Sequence, residues 1–357
     1  MSYQLYPLLM SFPELPFTPD QPWLAPLAGY SDLPFRLLCR EYGAAAACTE
    51  MISAKGLVFQ SPGTTRLVTT CPADWPLVVQ LFGSEPGYLR EALRMLMDMG
   101  HVFFDLNAGC PVKKVVKTGA GAALLQDPES LADLVQDLAG VAGQGRLGVK
   151  IRSGWDRHTA RPGDLARKLE ASGAAWITLH PRTARQGFSG RADWTALKEV
   201  REQVALPVLG SGDLFTAADA LMCLSQTGIS GVMFARGALN NPALFAQLRR
   251  LLQGAENLDQ DGSMPEYDKD SQKIAAVGSQ TVSPMAGIAR RHIELCQEHE
   301  HGPRAFLRMR TVLPRYFRGF AGAKALRLRI VDCRSWGELS DLVSGLADVV
   351  DFQTGEM

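Results

Sequence analysis

One stretch in the first third of this 357-residue chain decides the fold. It reads PLVVQLF (76–82), then PGYLREALRMLMDMG (86–100), then VFFDLN (102–107). The outer pieces are short and almost continuously apolar, which is typical of strands buried on both faces, whereas the middle piece repeats apolar residues at helical spacing. A strand, a helix and a second strand of this kind predict a parallel sheet covered by helices.

Further apolar runs alternate with helical segments in the same way. The eight runs span residues 23–29, 45–51, 76–82, 102–107, 147–152, 175–180, 207–212 and 231–236. Eight strand–helix units predict an α/β fold, a closed (β/α)8 TIM barrel. The alternative is an open, doubly wound sheet, and the barrel is favoured because no glycine-rich phosphate turn follows the first run. The sequence GAGAA (119–123) resembles a dinucleotide fingerprint but does not directly follow a strand.

The composition is that of an ordinary globular protein, with 37 basic and 37 acidic side chains. The seven cysteines are scattered and none forms a C-x-x-C pair, so neither a zinc ribbon nor a disulfide framework is predicted, and no metal site is expected. The N-terminal sequence lacks the basic start of a secretory signal, and no apolar run approaches the ~20 residues that span a bilayer. We therefore expect a cytoplasmic protein without a membrane partner.

Changes of pattern along the chain predict five regions. They are an N-terminal extension (1–21), the barrel (22–254), a polar linker or insertion (255–285), a basic helical domain (286–345) and an acidic tail (346–357). The linker is assigned because it is rich in Gly, Ser and Asp and has no periodicity.

The balanced total charge conceals a basic segment. Residues 285–334 hold eleven Lys or Arg against four acids, a net charge of +7, whereas residues 335–357 hold five acids and no basic residue. The sequence FLRMRTVLPRYFRGF (306–320) interleaves Arg with Phe and Tyr, which suits contacts to RNA phosphates together with stacking on bases. The alternative is an arginine-rich helix face exposed to water.

Polar residues collect at the C-terminal ends of the apolar runs, which form the catalytic face of a barrel. They are Gln80, Asn107, Lys150, His180, Ser211, Asp213 and Arg236. Any one of them could be a loop cap, but their recurrence at six consecutive runs favours a site. Lys150 could hold an anionic ring or phosphate, or form a structural salt bridge, and His180 could be an acid, a hydrogen-bond donor or a cap.

Two loops predict a phosphorylated cofactor. GSGD (210–213) and ARGALNNP (235–242) follow the last two runs, and each leads into a helix. In many barrels these two loops bind a phosphate through backbone N–H groups and a helix N-terminus.

Cys110 lies between Gly109 and Pro111, just after the fourth apolar run. A thiol with an ordinary pKa of ~8.5 is mostly protonated at neutral pH, so it could donate a proton as well as attack as a nucleophile. Nucleophilic use normally needs a neighbouring base, and none is adjacent in sequence. Lys113 and Lys114, just beyond, could meet an incoming phosphate.

Several ordered motifs between about residues 22 and 250 carry a resemblance to a known family. They are LAPLAGYSDLPFRLLCREYGA, LNAGCPVKKVVKTGAGAALLQDP, VKIRSGW, LHPRTARQGFSG, GSGDLF and MFARGAL. With them the chain resembles the tRNA-dihydrouridine synthases, and is most similar to the bacterial B-type branch.

The resemblance implies an FMN-containing barrel followed by a helical domain that binds tRNA. In that family FMN is reduced by NADPH and passes a hydride to C6 of a D-loop uridine, so Cys110 would protonate C5. The implied flavin-binding residues are Pro26, Leu27, Ala28, Gln80, Asn107, Lys150 and His180, and those implied for the FMN phosphate are Ser211, Gly212, Asp213, Ala235 and Arg236. Contacts to the RNA are implied for Asn107 and Arg182 and expected for Lys113 and Lys114. The expected partners are tRNA and NADPH, and a monomer is the expected state.

Three positions depart from the family pattern. Ser211 replaces Asn in N-G-D, Ala235 replaces Gly in Gly-Arg, and Pro181 replaces Gly in H-G-R-T. Serine still offers a hydrogen bond and Ala235 keeps its backbone amide, whereas Pro181 removes an N–H donor. The alternative functions are another FMN barrel enzyme acting on a small molecule, such as an ene reductase or a dihydroorotate-type dehydrogenase, and a non-catalytic RNA-binding protein with a degenerate barrel.

Overall fold

A computed structural model describes residues 14–259, 282–300, 302–320 and 322–351. These described ranges contain nine strands: β1 (Trp23–Leu24), β2 (Ala46–Cys48), β3 (Ile52–Ser53), β4 (Leu77–Phe82), β5 (Phe103–Ala108), β6 (Leu147–Arg152), β7 (Trp176–His180), β8 (Val208–Gly210) and β9 (Gly231–Phe234).

The strands close into a parallel barrel. β1 pairs with both β2 and β9, and β2 also pairs with β4, so that eight strands form a ring. β3 is an additional short strand on the C-terminal end of β4. The predicted eight-stranded barrel is therefore confirmed. The first run was predicted too long, because Pro26 has no N–H to continue the ladder after Ala25 donates to the Phe234 carbonyl.

Eleven helices surround or follow the barrel strands in the described ranges up to residue 259. They are α1 (Leu33–Glu41), α2 (Ala54–Val58), α3 (Pro62–Thr65), α4 (Pro86–Asp98), α5 (Lys113–Val116), α6 (Pro128–Ala142), α7 (Pro162–Ala171), α8 (Thr195–Gln203), α9 (Ala217–Thr227), α10 (Arg236–Asn240) and α11 (Leu244–Asp259). Short 3₁₀ helices lie at Arg66–Val68, Pro72–Asp74 and Gly121–Gln126.

The helix boundaries follow from local chemistry. The Asp32 carboxylate accepts the Phe35 N–H at 2.9 Å and begins α1. Thr216 and Asp219 form a capping box at the start of α9, and Gly228 ends that helix in the left-handed conformation. These caps fix the ends of helices that pack their apolar faces on the barrel.

Aromatic side chains fill the N-terminal end of the barrel. Trp23 on β1 and Trp176 on β7 are buried with their ring centroids 5.9 Å apart, and Phe17 packs on both of them. A Cβ on Gly148 of β6 would lie 2.0 Å from Cε2 of Trp176, so only glycine leaves room for this indole. The barrel is closed at this end and any ligand must enter from the other.

The helical region after the barrel contains α12 (Val282–His299), α13 (Pro303–Tyr316), α14 (Ala323–Asp332) and α15 (Trp336–Asp351) in the described ranges. α12 packs against α1 of the barrel and against α15, and its buried side chains join the barrel's core cluster. None of the helices described here or above is long and apolar enough to cross a membrane.

The helices extend into the segments predicted as linker and tail. α11 continues past Gly254 to Asp259, since an interior glycine costs a helix only about 1 kcal/mol. α12 begins two residues before Pro284, which the first turn of a helix tolerates. α15 likewise continues to Asp351. The rest of the predicted linker (260–281), the end of the predicted tail (352–357) and most of the predicted extension (1–13) lie outside the described residues.

Candidate functional site

A cavity of about 250 Å³ opens at the C-terminal end of the barrel strands. Of the residues predicted for the site, it is lined by Pro26, Leu27, Ala28, Asn107, Cys110, Lys150, His180, Ser211, Gly212, Asp213, Ala235 and Arg236. Its other lining residues include Met51, Val112, Arg152, Phe188, Leu214 and Phe215. The structure therefore brings together most of the predicted residues, and Gln80, Lys113, Lys114 and Arg182 lie outside the lining.

Strand alternation explains why these polar side chains meet. Side chains of a strand point alternately to opposite faces, so residues two apart share the barrel interior. Lys150 and Arg152 on β6 point inward in this way, and Lys150 pairs in register with Asn107 on β5. Arg152 pairs in register with His180 on β7. The result is an interior that is apolar at the closed end and polar at the mouth.

Asn107 organises the loop that carries Cys110. Its Oδ1 accepts the backbone N–H of Gly109 at 3.1 Å and that of Cys110 at 2.9 Å. Its Nδ2 donates to Oε1 of Gln80 at 2.8 Å, which fixes the orientation of the amide. The Cys110 carbonyl accepts the Ala122 N–H at 2.9 Å, so the thiol-bearing loop is anchored on both sides.

Cys110 is a free, half-buried cysteine. Burial raises the pKa of its thiol above the ordinary value, although the Val112 N–H and the charges of Arg152 and Lys150 act in the opposite direction. The thiol is therefore protonated at neutral pH, which suits a proton donor better than a thiolate nucleophile.

A buried carboxylate lies beneath Lys150. Asp105 on β5 accepts Nε2 of Gln80 at 2.6 Å, while its Oδ1 has no hydrogen-bond partner within the described structure. Burial raises the pKa of Asp105 to about 7, and burial lowers that of Lys150 to about 8 while the Asp105 charge opposes the fall. Both polar ends of Gln80 are engaged by Asp105 and Asn107, so Gln80 lies one side chain away from the cavity rather than on its wall.

His180 is held neutral at the mouth. Burial and the nearby cations, Lys150 first among them, lower its pKa to about 2. Nη1 of Arg182 lies 3.2 Å from Nε2 of His180. A guanidinium can only donate, so Nε2 accepts and the ring proton resides on Nδ1.

The predicted RNA contact of Arg182 needs correction. Arg182 is only 2% exposed, and its guanidinium donates to the carbonyls of Ser189 and Gly190 and to Asp213 at 2.6 Å. Because each guanidinium nitrogen contacts a protein atom, Arg182 positions His180 and the Asp213 loop.

The two predicted phosphate loops meet at Asp213 and Arg236. Gly212 and Asp213 have φ values of +111° and +55°, and a Cβ on Gly212 would lie 2.7 Å from Cδ2 of His180. The Asp213 carboxylate accepts the Ala192 N–H at 2.8 Å and pairs with Arg236 at 3.3 Å. An anion here would thus be held by Arg236 and backbone N–H groups, with Asp213 orienting the arginine.

Sequence reasoning missed several residues of the mouth. Asp105 and Arg152 each stand two positions from a predicted residue, so the alternation of the strand could have found them. Phe188 and Phe215 carried no signal, and the centroid of each exposed ring lies 5.0 Å from the Arg236 guanidinium carbon.

Several arginines of the basic helical region have partners within the protein, so fewer of them are available to RNA than the net charge indicates. Arg291 pairs with Glu41 of α1 at 2.8 Å, and Arg308 pairs with Asp32 at 2.6 Å and also with Glu300. Nη2 of Arg315 donates to the Tyr30 hydroxyl at 2.6 Å. These arginines therefore attach the helical region to the barrel.

The aromatic residues between those arginines are not available for stacking on bases. Tyr316 and Phe317 are fully buried, and the Tyr316 hydroxyl lies 2.8 Å from Nδ1 of the buried His292. Phe306 packs edge-on against Trp336. The prediction that the 306–320 segment stacks on RNA bases is wrong for Tyr316 and Phe317, because their side chains form the core of the helical region.

The closed parallel barrel with a polar mouth and an anchored thiol defines an α/β-barrel enzyme. Within that class the chain belongs to the dihydrouridine synthase (Dus) family, whose model matches residues 23–348.

Curated relatives agree with this assignment. A probable tRNA-dihydrouridine synthase of Treponema pallidum is 39% identical over 239 residues, covering 64% of this chain and 70% of the relative. Probable tRNA-dihydrouridine synthase 1 of Synechocystis sp. is 32% identical over 320 residues, covering 89% of this chain and 84% of the relative. A probable tRNA-dihydrouridine synthase of Mycobacterium tuberculosis is 34% identical and covers 92% of this chain and 82% of the relative.

Proposed function

We propose that this protein is an FMN-dependent oxidoreductase that reduces the C5=C6 bond of a D-loop uridine in tRNA with NADPH as the reductant. The observation that carries the proposal is the anchored Cys110 thiol at the mouth of the barrel, beside a cavity rich in cations. Family membership and the names of the relatives supply the reaction class and the substrate.

The residues at the mouth fit a planar, anionic, phosphate-bearing cofactor. Lys150 lines the cavity and forms no ion pair or hydrogen bond with any described residue, so its ammonium is free for a ligand. Arg236 and the backbone of residues 211–213 would hold the phosphate, while Pro26, Leu27 and Ala28 give an apolar wall for a ring. When bound, FMN would supply the hydride that uridine receives at C6.

Cys110 would act as the general acid. Its raised pKa keeps the proton on Sγ at neutral pH, and the two N–H bonds to Asn107 hold the loop in one conformation. Positioned acids of this kind contribute about 10²–10⁴-fold to a rate. The proton would pass from Sγ to C5 of the uracil.

The target uridine must leave the RNA stack to reach the mouth, which costs a few kcal/mol. Contacts between tRNA phosphates and basic side chains would compensate this cost. The arginines of the helical region that are not paired with the barrel, such as Arg304 and Arg318, are candidates for these contacts.

The test compares Cys110→Ala with Cys71→Ala, since Cys71 is also a partly exposed free cysteine but lies outside the cavity. Protein purified with FMN is mixed with NADPH and an unmodified tRNA transcript, and dihydrouridine is measured by mass spectrometry. We expect Cys110→Ala to keep the reduction of flavin by NADPH and to lose at least about 10²-fold in product formation. Cys71→Ala should match the wild type.

Two outcomes would count against the proposal. Wild-type protein that binds FMN but forms no dihydrouridine in any tRNA, while reducing a small enone, would indicate an ene reductase. Full activity of Cys110→Ala would refute the assignment of the acid.

A further inference from the structure

We propose that the barrel carries a second RNA-binding surface at its mouth, which stacks an unpaired tRNA base and holds the adjacent phosphates. This surface, called here the aromatic–basic rim, consists of Lys55, Phe59, Tyr88, Lys113, Lys114 and Lys117. The inference rests on the proposed function and names where the barrel itself would grip the RNA.

The aromatic part of the rim is the exposed Phe59 ring in contact with the half-buried Tyr88 ring. Phe59 directly follows α2 and is 63% exposed, and its ring centroid lies 5.7 Å from that of Tyr88 in the first turn of α4. Lys55 Nζ lies 5.0 Å from the Tyr88 centroid. A single exposed phenylalanine is unremarkable, but an exposed ring in tilted contact with a second ring that carries a cation over its face is a platform of the kind on which bases stack.

The basic part of the rim adjoins this platform. Lys113, Lys114 and Lys117 are exposed on and directly after α5. The chain after Lys117 contacts the segment before α4, because Ser84 Oγ donates to the Thr118 carbonyl at 2.7 Å. The three lysines and the two rings therefore lie on neighbouring segments of one surface.

This surface borders the reactive thiol. Lys113 follows Val112, which lines the cavity beside Cys110. On the other side, Met51 also lines the cavity and leads through β3 into α2, which precedes Phe59. An RNA strand that delivers one base to Cys110 would thus place its neighbouring nucleotides over the rim.

Charge identifies RNA as the occupant. The rim holds four lysines, and the acid that pairs with one of them is Glu85, 3.6 Å from Lys55. Lys113, Lys114 and Lys117 have no ion pair with any described residue. Several arginines of the helical region are instead committed to Asp32, Glu41 and Glu300. Unpaired cations beside exposed rings match a single-stranded nucleic acid.

The first experiment measures binding of an unmodified tRNA transcript to the full-length, FMN-loaded protein. Phe59→Ala and Phe59→Leu should weaken tRNA binding at least about fivefold, whereas Phe59→Trp should keep the affinity of the wild type. The reason is that base stacking requires an aromatic face and is worth ~1–3 kcal/mol. Reduction of the flavin by NADPH should be unchanged in all three. A dissociation constant for Phe59→Ala within twofold of the wild type overturns the stacking site.

The second experiment tests the lysines. The triple variant Lys113→Gln, Lys114→Gln, Lys117→Gln should reduce the slope of log affinity against log salt by about 2, since each single-strand phosphate contact contributes ~0.7. The control is Lys168→Gln in the last turn of α7, where the lysine pairs with Glu129 and neither residue lines the cavity. A triple variant with the slope of this control refutes the phosphate contacts.

The outcomes separate this inference from the proposed function. Wild-type protein that binds tRNA tightly but forms no dihydrouridine contradicts the function, while the binding series still decides the rim. If Phe59→Ala instead changes the oligomeric state on gel filtration and leaves tRNA affinity intact, the rim is a protein contact and the RNA assignment falls.

Discussion

Replacing Gly121 by alanine should misplace Cys110 while leaving the barrel folded. Gly121 has φ +60°, and a Cβ there would lie 2.7 Å from the Cys110 carbonyl oxygen and 2.9 Å from Cγ1 of Val115. Backbone cannot yield as a flexible side chain does, so the Cys110 loop must move. Gly119 offers a matched control, because its φ is +76° but its nearest neighbours are the side-chain Cβ and Oγ of Ser84 at 3.3 Å.

The expected size of the effect follows from this comparison. Both alanine variants bear the cost of a left-handed non-glycine residue, ~1–2 kcal/mol, and Gly121→Ala bears in addition the cost of moving the Cys110 loop. Only Gly121→Ala displaces the thiol. A shift of about 1 Å in a reacting group can cost about 10²-fold in rate, and we expect that loss in the reduction of uridine but not in the reduction of the flavin by NADPH.

A single-turnover assay isolates this step. The flavin is first reduced with NADPH, a tRNA transcript is then added, and the rate of flavin reoxidation is followed together with the formation of dihydrouridine. Gly121→Ala should be about 10²-fold slower than Gly119→Ala, with equal rates of flavin reduction. Equal reoxidation rates for the two variants would refute the reasoning that Gly121 positions Cys110.

Two further predictions concern stability. Gly148→Ala should lower the unfolding free energy by at least ~1–3 kcal/mol, because its Cβ would overlap the Trp176 indole. Gly140→Ala on α6, where a Cβ meets nothing within 4 Å, should raise it by ~0.5–1 kcal/mol. Urea unfolding that ranks the two variants in the opposite order would contradict the packing of Trp176 against Gly148. Arg308→Ala should destabilise the protein more at pH 8 than at pH 5. Burial already raises the pKa of Asp32 to about 6, and loss of the arginine would raise it further. Because the folded state then holds the Asp32 proton more tightly than the unfolded state, the free energy of unfolding falls as the pH rises. An equal loss at both pH values would exclude Asp32 as the linked group.

Most of the mouth could be predicted because strand patterning is local. Near-continuous apolar runs predict a parallel barrel, and a barrel places the ends of its strands around one opening. Asn107, Lys150 and His180 were found in this way, and the same two-residue period contained Asp105 and Arg152 as well. The pattern does not predict which of these side chains bind a ligand and which position other residues. Asn107, for example, accepts the backbone N–H of Cys110.

The helical region shows where sequence reasoning fails. The arginines of residues 285–334 predict a field of positive charge, but Arg308 and Arg291 are matched by Asp32 and Glu41, which lie more than two hundred residues away in the chain. Likewise nothing local distinguishes a buried Tyr316 from an exposed one. Both outcomes depend on contacts between distant segments, and those are set by packing.

The tryptophan-filled end of the barrel has a kinetic consequence. In the proposed reaction, the reductant and the RNA would reach the flavin through the same opening, because Trp23, Trp176 and Phe17 close the other end of the barrel. Because the two ligands would share this one opening, we expect the dinucleotide to depart before the polynucleotide arrives. Initial-rate plots should then show the parallel lines of a double-displacement scheme, and excess tRNA should inhibit turnover by blocking the reduction of the flavin.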